Sequence, residues 1–387
     1  MIPYARQDIQ PEDIEAVVDV LRSDYLTQGP MVPRFEQAVA DYCGAAHGVA
    51  TNSATSALHL ACLSLGVGPG DLVWTSPITF VASANCARYC GAEVDFVDID
   101  PATVNISPER LSEKLEQARA AGGRLPKVVI PVHFAGQSCD MASIGRLAAE
   151  YGFRIIEDAS HAIGARYQRA PVGSCRYSDI TVFSFHPVKI LTTGEGGMAV
   201  TNDEALAERM RSLRSHGVTR DPERMVLDCE GAWYYEQIDL GFNYRMTDIQ
   251  AALGVSQLKR LDAFVSRRRD LVAHYDEMLV DVPVCLSRML PQSESSHHLY
   301  VVRIPSEGRP GRRTRVFDSL REQGVGVNVH YIPLHLQPYY RNLGFATGDF
   351  AEAERYYREA ITLPLYPRLR PDDLASITRK LSSALRS

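Results

Sequence analysis

The sequence predicts an α/β protein, with a large domain on a mostly parallel central sheet and a smaller C-terminal α+β domain. Its 387 residues are enough for two or three domains of roughly 150 residues each. Strand-like and helix-like segments alternate through the first two-thirds of the chain, which is typical of parallel βαβ units. After about residue 255 an Arg-rich helical stretch replaces this alternation. We therefore place the domains at 1–255 and 256–387.

The elements of the large domain follow from hydrophobic periodicity. Apolar residues three and four positions apart predict amphipathic helices, and short runs of β-branched residues predict buried strands. Gly152 follows one helix as its C-cap. The predicted helices lie at 54–65, 109–121 and 141–151, and the predicted strands at 72–75, 93–99, 128–134, 153–157, 180–185 and 198–201.

The last third predicts a different arrangement. One continuous helical stretch is expected over 247–278, and the domain boundary is placed along it. The segments beyond it predict strands at 298–304 and 325–330, and helices at 313–323, at 350–361 and from 371 onward.

Composition excludes several classes of function. The chain carries 41 basic and 47 acidic residues, a formal net charge of -6, whereas nucleic-acid-binding proteins usually present a basic face. No apolar run reaches the roughly 18 residues of a membrane span, and the first residues lack the apolar core of a signal peptide. The eight cysteines include no Cys-x-x-Cys pair, so no metal site is expected. We expect reduced thiols and a cytoplasmic protein.

One lysine stands out among the five in the chain. Lys189 follows the strand predicted at 180–185, and Pro187 prevents that strand from continuing. A Gly-rich turn over 194–197 then leads into the next strand. An amine in such apolar company is partly desolvated, which favours its neutral, nucleophilic form. Lys189 is therefore a candidate for Schiff-base formation with an aldehyde.

A second group of candidate site residues comes directly after the strand predicted at 153–157. Asp158 and His161 follow that strand, and open α/β sheets bind their ligands at the carboxyl ends of their strands. An aspartate there can keep a pyridine nitrogen protonated, which pyridoxal phosphate requires to accept electrons. Asp158 could equally cap the turn that follows the strand. These residues alone leave both interpretations open.

Two further segments contain residues that are suited to ligand binding. Small hydroxyl residues open the helix predicted at 54–65, and the free N–H groups of a helix N-terminus suit a phosphate, although Ser and Thr are also ordinary N-caps. Phe80 follows the strand predicted at 72–75. Its ring could stack on a flat ligand or pack in the core.

In order and spacing, these segments resemble the DegT/DnrJ/EryC1/StrS family of sugar aminotransferases, which are fold-type I pyridoxal-phosphate enzymes. The resemblance covers essentially the whole chain. It includes TNSATSALHLA, SPITFVASANCARYCGAEVDFVDID and EDASHAIGA, and its most specific motifs are FSFHPVKILTTGEGG and GFNYRMTDIQAALG. It implies a fold-type I aminotransferase fold with pyridoxal phosphate as the cofactor.

The resemblance also implies roles for individual residues. Lys189 would bond covalently to the cofactor aldehyde, and Asp158 would pair with the pyridine nitrogen. His161 would lie near the 3-hydroxyl of the ring, and Phe80 would stack on the ring. The implied phosphate contacts come from Ala54, Thr55 and Ser184.

Three implied contacts concern the substrate, and one concerns a second subunit. Asn243 would reach the phosphate of the neighbouring subunit's cofactor, so the resemblance implies a homodimer with shared active sites. Arg245, His330 and Tyr331 are implied as substrate-side groups.

The implied reaction moves an amino group from glutamate to C4 of a UDP-linked 4-keto-6-deoxy-N-acetyl sugar. Transfer to C3, or to a dTDP-linked sugar, is the main alternative. A related sugar dehydratase would carry histidine in place of Lys189. A cofactor-binding regulator without catalysis is a further alternative. A nicotinamide dehydrogenase is disfavoured, because the glycine pattern at 66–71 follows a helix and precedes a strand, the reverse of the dinucleotide-binding order.

Overall fold

A seven-stranded sheet forms the centre of the larger part of this computed structural model, which describes residues 1–306, 308 and 310–386. Three smaller sheets accompany it. The strands are β1 His47–Thr51, β2 Leu72–Thr75, β3 Glu93–Phe96, β4 Val128–Ile130, β5 Arg154–Asp158, β6 Arg166–Tyr167, β7 Ala170–Pro171, β8 Ile180–Ser184, β9 Gly197–Thr201, β10 Val218–Thr219, β11 Glu236–Gln237, β12 Cys285–Leu286, β13 Ser293–Glu294, β14 Tyr300–Arg303 and β15 Ala360–Leu363.

Helices cover the sheets. They are α1 Pro11–Leu21, α2 Met31–Cys43, α3 Ala54–Ser64, α4 Ala82–Tyr89, α5 Pro108–Ala120, α6 Met141–Tyr151, α7 Glu204–Arg214, α8 Asp248–Leu258, α9 Leu261–Met278, α10 Arg312–Glu322, α11 Pro338–Arg341, α12 Ala351–Glu359 and α13 Pro371–Arg386. Short 3-10 helices lie at Phe134–Gly136, Pro222–Arg224 and Leu334–Leu336. None of the helices in the described ranges is both long and apolar enough to cross a membrane.

The strand order of the large sheet is β1-β9-β8-β5-β4-β2-β3. Within this sheet only β9 runs antiparallel to its neighbours, so the predicted fold class with a mostly parallel sheet is confirmed. The register pairs Gly197 with Thr51 on one side and with Ser184 on the other. The carboxyl ends of β1 and β8 and the amino end of β9 therefore meet at one edge of the sheet.

The local sequence explains how these elements begin and end. The side chain of Asp140 accepts a hydrogen bond from the amide of Ser143, which caps the start of α6. Gly152 ends that helix with a φ of 79°, a left-handed conformation that glycine adopts without strain. Strands β8 and β9 are buried along their whole length, because α3 and its neighbours cover the sheet.

The smaller part of the molecule is built on the antiparallel sheet β12-β14-β15. Side chains of α9, α10 and α13 share one apolar core with β14 and β15. The first residues of the chain join this part: the amide of Gly326 donates to the carbonyl of Ile2 at 2.7 Å, and that of Leu365 donates to the carbonyl of Tyr4 at 3.1 Å. The domain division after residue 255 stays a prediction.

Three expected elements were wrong. The stretch expected over 247–278 is two helices, because the backbone breaks at Arg260 (φ -107°, ψ 5°), whose side chain pairs with Asp8 and Asp13. The segment 325–330 makes only isolated bridges. Helix α12 ends at Glu359, and strand β15 follows because its backbone completes the ladder with β14.

Candidate active site at the edge of the large sheet

A cleft of about 890 Å³ opens at the sheet edge where β1, β8 and β9 meet. Its walls come from both parts of the molecule. The lining residues are Tyr4, Asn52, Ser53, Ala54, Thr55, Ser56, Thr79, Phe80, Ala82, Val132, Asp158, Ser160, His161, Ser184, His186, Val188, Lys189, Glu195, Gln250, Asn328, Val329, His330 and Tyr331.

Lys189 lies in the connection between β8 and β9 and lines the cleft. Among the residues that the structure describes, none forms a hydrogen bond or an ion pair with its amine. Burial lowers the pKa of the amine from 10.5 to about 8, while the nearby Asp158 carboxylate acts in the opposite direction. At pH 8 roughly half of such amines are neutral, so Lys189 can act as a nucleophile or a base.

Asp158 is the last residue of β5, and only 5% of it is exposed. Its Oδ1 accepts from the amide of Ser160 at 3.0 Å, and its Oδ2 accepts from the Ser83 hydroxyl at 2.6 Å. The bond from Ser160 shows that Asp158 caps the turn after β5, which is one of the two interpretations that the sequence allowed. A carboxylate has about four lone-pair sites, so capping leaves Asp158 able to accept a further proton donor from the cleft.

His161 and Tyr331 form a polar pair in the cleft. The Tyr331 hydroxyl lies 3.1 Å from Nε2 of His161, and the two rings stack with centroids 6.1 Å apart. Burial lowers the pKa of His161 well below its usual value, so its ring is neutral. Its buried Nδ1 has no hydrogen-bond partner among the described residues. This unpaired atom fits a ligand that carries a hydroxyl group, such as the pyridoxal ring.

The N-terminus of α3 forms the opposite end of the cleft. Ser53 caps the helix by accepting from the amide of Ser56 at 3.2 Å, while the first-turn amides of Ala54 and Thr55 lack helical partners. Gly197 packs against this turn, and a Cβ built on it would lie 2.5 Å from the amide nitrogen of Ala54. These free amides fit a phosphate group.

Three other predicted residues also line the cleft. Ser184, at the end of β8, is register-paired with Gly197. Phe80 is 60% exposed, and its ring lies 6.4 Å from that of Tyr331, so Phe80 is not a core residue. Nδ1 of His330 lies 2.8 Å from the Thr362 hydroxyl, and burial lowers the pKa of His330 to about 4.

Asn243 and Arg245 do not line the cleft of their own chain. Asn243 is exposed, and its backbone carbonyl accepts from the amide group of Asn52 at 3.5 Å. Asn243 therefore lies beside the cleft, next to the lining residue Asn52. A single chain does not test the contact predicted from Asn243 to a neighbouring subunit.

Sequence reasoning missed several lining residues. His186 and Glu195 lie 4.0 Å apart across the connection that carries Lys189, and they belong to the motif around that lysine. Tyr4 begins the segment YARQDIQPEDIEAVVDVLRSDYLTQGP, which is also part of the family resemblance. Ser83 lies inside the motif SPITFVASANCARYCGAEVDFVDID, but no sequence signal indicated its contact with Asp158, because the two residues are 75 positions apart.

The three parts of the cleft together fit pyridoxal phosphate. An unpaired amine, a buried carboxylate and free helix amides suit an aldehyde, a pyridine nitrogen and a phosphate, respectively. Within the described ranges, no group of three or more His, Cys, Asp or Glu side chains is arranged to hold a metal ion.

Comparison with known proteins gives the same family that the sequence motifs resemble. The model of the DegT/DnrJ/EryC1/StrS aminotransferase family matches residues 7–382. The spore coat polysaccharide biosynthesis protein SpsC of Bacillus subtilis is 39% identical over 379 residues, which cover 97% of this chain and 95% of SpsC. The UDP-4-amino-4,6-dideoxy-N-acetyl-beta-L-altrosamine transaminase of Campylobacter jejuni is 36% identical over 386 residues, which cover 100% and 98% of the two chains.

Solved structures are similar over the same range. Spr1654 of Streptococcus pneumoniae in its PMP form has a TM-score of 0.90 at 32% identity, covering 100% of this chain and 99% of that chain, and its PLP form is also similar. Helicobacter pylori PseC, an aminotransferase involved in the biosynthesis of pseudoaminic acid, gives the same TM-score, identity and coverage. This chain therefore belongs to the DegT/DnrJ/EryC1/StrS aminotransferase family and is a sugar aminotransferase that depends on pyridoxal phosphate.

Proposed function

We propose that the enzyme transfers the amino group of glutamate to C4 of a UDP-linked 4-keto-6-deoxy-N-acetyl sugar, giving UDP-4-amino-4,6-dideoxy-N-acetyl-β-L-altrosamine. Two Campylobacter jejuni relatives that carry the name of this transaminase, 36% and 35% identical over 386 residues, support the proposal. The observation that carries it is the unpaired Lys189 amine, which faces a cleft of about 890 Å³ together with Asp158. That volume suits a large ligand.

When bound, pyridoxal phosphate supplies an electron sink for the charge that develops at the reacting carbon. In our proposal the Asp158 carboxylate holds a proton on the pyridine nitrogen by charge pairing. The amides of Ala54 and Thr55, with the hydroxyl of Ser184, bind the phosphate. Phe80 covers one face of the ring.

Lys189 is proposed as the acid–base group in both halves of the reaction. In the first half its Nζ takes the proton from the α-carbon of glutamate. In the second half it delivers a proton to the sugar carbon that receives the amine. A pKa of about 8 keeps both protonation states populated near neutral pH, as a group that alternates between base and acid requires.

The proposed substrate contacts lie on the opposite wall of the cleft. His330 and Tyr331 line that wall, and Tyr331 contacts His161, which is proposed to lie near the 3-hydroxyl of the ring. Arg245 is proposed to contact the substrate from beside the cleft.

We also propose that the enzyme is a homodimer in which Asn243 reaches the cofactor phosphate of the partner. The position of Asn243 outside its own cleft supports this arrangement. Exposed large apolar side chains support it too, because a partner subunit that covered them would remove their apolar surface from water. These side chains are Tyr25, Leu26, Val226, Leu227, Trp233, Tyr235 and Leu240. The cytoplasmic location stays a prediction.

The test is an assay of the purified enzyme with glutamate and a panel of UDP-linked and dTDP-linked 4-keto and 3-keto sugars, with the products identified by NMR. We expect an amine at C4 of the UDP-linked N-acetyl sugar. Preferential reaction at C3, or with a dTDP-linked sugar, would establish the alternative. The higher identity with SpsC, 39%, is the observation that favours another keto sugar. No glutamate-dependent product with any of these sugars would refute the proposal.

A further inference from the structure

A buried pair of hydroxyl groups contacts the Asp158 carboxylate from the side of α4. Ser83 is fully buried in the first turn of α4, and its Oγ lies 2.6 Å from Oδ2 of Asp158. The same Oγ lies 2.7 Å from Oγ1 of Thr79. Thr79 is also buried, and it lines the cleft next to Phe80. The three side chains therefore form a chain of two hydrogen bonds from the cleft wall to the carboxylate.

The chemistry of these groups fixes the direction of both bonds. An ionised carboxylate only accepts hydrogen bonds, so Ser83 donates its single hydroxyl proton to Asp158. Thr79 must then donate to the oxygen of Ser83. Because both bonds point toward the carboxylate, each polarises the next and strengthens the interaction with the negative charge.

The Ser83 hydroxyl donates to a residue outside its own helix. Serine in a helix commonly donates to a carbonyl three or four residues earlier, as Ser64 of α3 does with the carbonyl of Ala61 at 2.9 Å. Ser83 instead donates to a side chain 75 positions away. Local helix stability does not require this bond, whereas the orientation of Asp158 gains from it.

We propose that Thr79 and Ser83 are positioning residues that hold Asp158 in one rotamer, ionised, with its remaining lone pairs directed at the pyridine nitrogen of the cofactor. This inference rests on the proposed role of Asp158. Hydrogen bonds donated to a carboxylate stabilise its charged form, and the ring nitrogen stays protonated only while its partner stays ionised. Thr79 also connects this function to the loop that carries Phe80.

The test compares four variants of the holoenzyme. Ser83→Ala removes the donor, Thr79→Val removes the second link, Ser83→Thr keeps the hydroxyl, and Ser64→Ala is the matched control for loss of a buried helical hydroxyl. The readouts are kcat and KM, the rate of the cofactor's absorbance change when glutamate is added alone, and the melting temperature of the cofactor-free protein.

We expect Ser83→Ala to lower kcat and the rate of the absorbance change about tenfold, the size typical of a lost hydrogen bond to a charged group. KM should change less than about twofold, because Ser83 does not touch the substrate. Thr79→Val should give a smaller loss, Ser83→Thr should restore most of the rate, and Ser64→Ala should leave kcat unchanged. The melting temperatures of Ser83→Ala and Ser64→Ala should fall by similar amounts.

The inference is overturned for Ser83 if Ser83→Ala keeps the wild-type rate and loses only stability. It is overturned for Thr79 if Thr79→Val keeps the wild-type rate. Failure of glutamate as the proposed amino donor gives a different result, because the wild-type enzyme would then show no absorbance change with glutamate. An active wild-type enzyme whose Asp158→Asn variant is equally active would refute the role of Asp158 itself.

Discussion

At the residue scale, the proposed chemistry depends on one amine that has no hydrogen-bond partner among the described residues. Lys189 faces the cleft, and burial lowers its pKa to about 8. Lys259, which follows the last residue of α8, is exposed and does not line the cleft. The two lysines therefore provide a matched comparison of a desolvated and a solvated amine.

Replacing Lys189 by alanine should abolish the visible absorbance of the bound cofactor and reduce turnover by at least about a thousandfold, since the nucleophile and the base are lost together. Lys259→Ala should keep both properties. Absorbance spectra and steady-state assays measure the effect. A Lys189→Ala enzyme with near wild-type turnover would exclude Lys189 as the catalytic group.

The lowered pKa of Lys189 predicts how cofactor uptake depends on pH. The neutral amine is the form that bonds to the aldehyde, and its share grows as pH rises through about 8. The rate at which cofactor-free protein develops visible absorbance with pyridoxal phosphate should therefore rise about tenfold between pH 7 and pH 9 and then level off. A rise centred near the usual lysine value of 10.5 would contradict the burial of this amine.

Asp158 both caps a turn and faces the cleft, and these two functions can be separated. Asp158→Asn keeps the shape of the side chain and loses its charge. We expect kcat to fall at least about a hundredfold, because the charge acts at the reacting system, with a small change in melting temperature. Asp140→Ala, which removes the N-cap of α6, is the control, with an expected loss of stability and not of rate. Equal losses of stability and rate in Asp158→Asn would favour a purely structural cap.

At the element scale, the close approach of β9 to α3 shapes the end of the cleft where we propose that the cofactor phosphate binds. A Cβ on Gly197 would lie 2.5 Å from the amide nitrogen of Ala54, so Gly197→Ala must push the first turn of α3 away. We expect the dissociation constant of pyridoxal phosphate to rise about tenfold, the effect of weakening one bond to a charged group. Gly68→Ala, where a Cβ meets no atom within 4 Å, is the control. Cofactor titration by absorbance measures both, and equal affinities would refute the role of this contact.

Sequence periodicity predicted most elements of the large sheet because their faces are uniformly buried. It did not predict that β9 runs antiparallel, since strand direction depends on the connection and not on the strand residues. Strand β15 was missed for a related reason: its ladder partner β14 lies about 60 residues earlier in the chain, and the helical pattern of α12 continues into it. The break at Arg260 depends on Asp8 and Asp13, which no local pattern reveals.

The candidate site was predictable where its residues are adjacent in sequence to a strand end. Asp158 is the last residue of β5, while Lys189 and the start of α3 follow β8 and β1, and the structure brings them to one edge. Ser83 and Tyr4 could not be found in this way. Their importance comes from contacts across more than 70 positions, and serine and tyrosine occur in many other settings.

At the scale of the whole molecule, the proposed dimer predicts complementation between two inactive variants. Asn243→Ala and Lys189→Ala each damage both sites of their own dimer. In a hybrid dimer one site combines an intact Lys189 with an intact Asn243 from the partner, and the other site lacks both. Mixing the variants under subunit exchange should therefore restore one competent site per hybrid dimer, measured as turnover. No recovery, with hybrid formation confirmed by differential tagging, would show that the sites are not shared.

The pairing of the first residues with the smaller sheet has a consequence for biosynthesis. The carbonyl of Tyr4 accepts its bond from Leu365, and Tyr4 lines the cleft. The wall of the pocket that Tyr4 forms must therefore wait until Leu365 has left the ribosome. Contacts between such distant positions form slowly, so vitamin B6 capture should be a late, post-translational event.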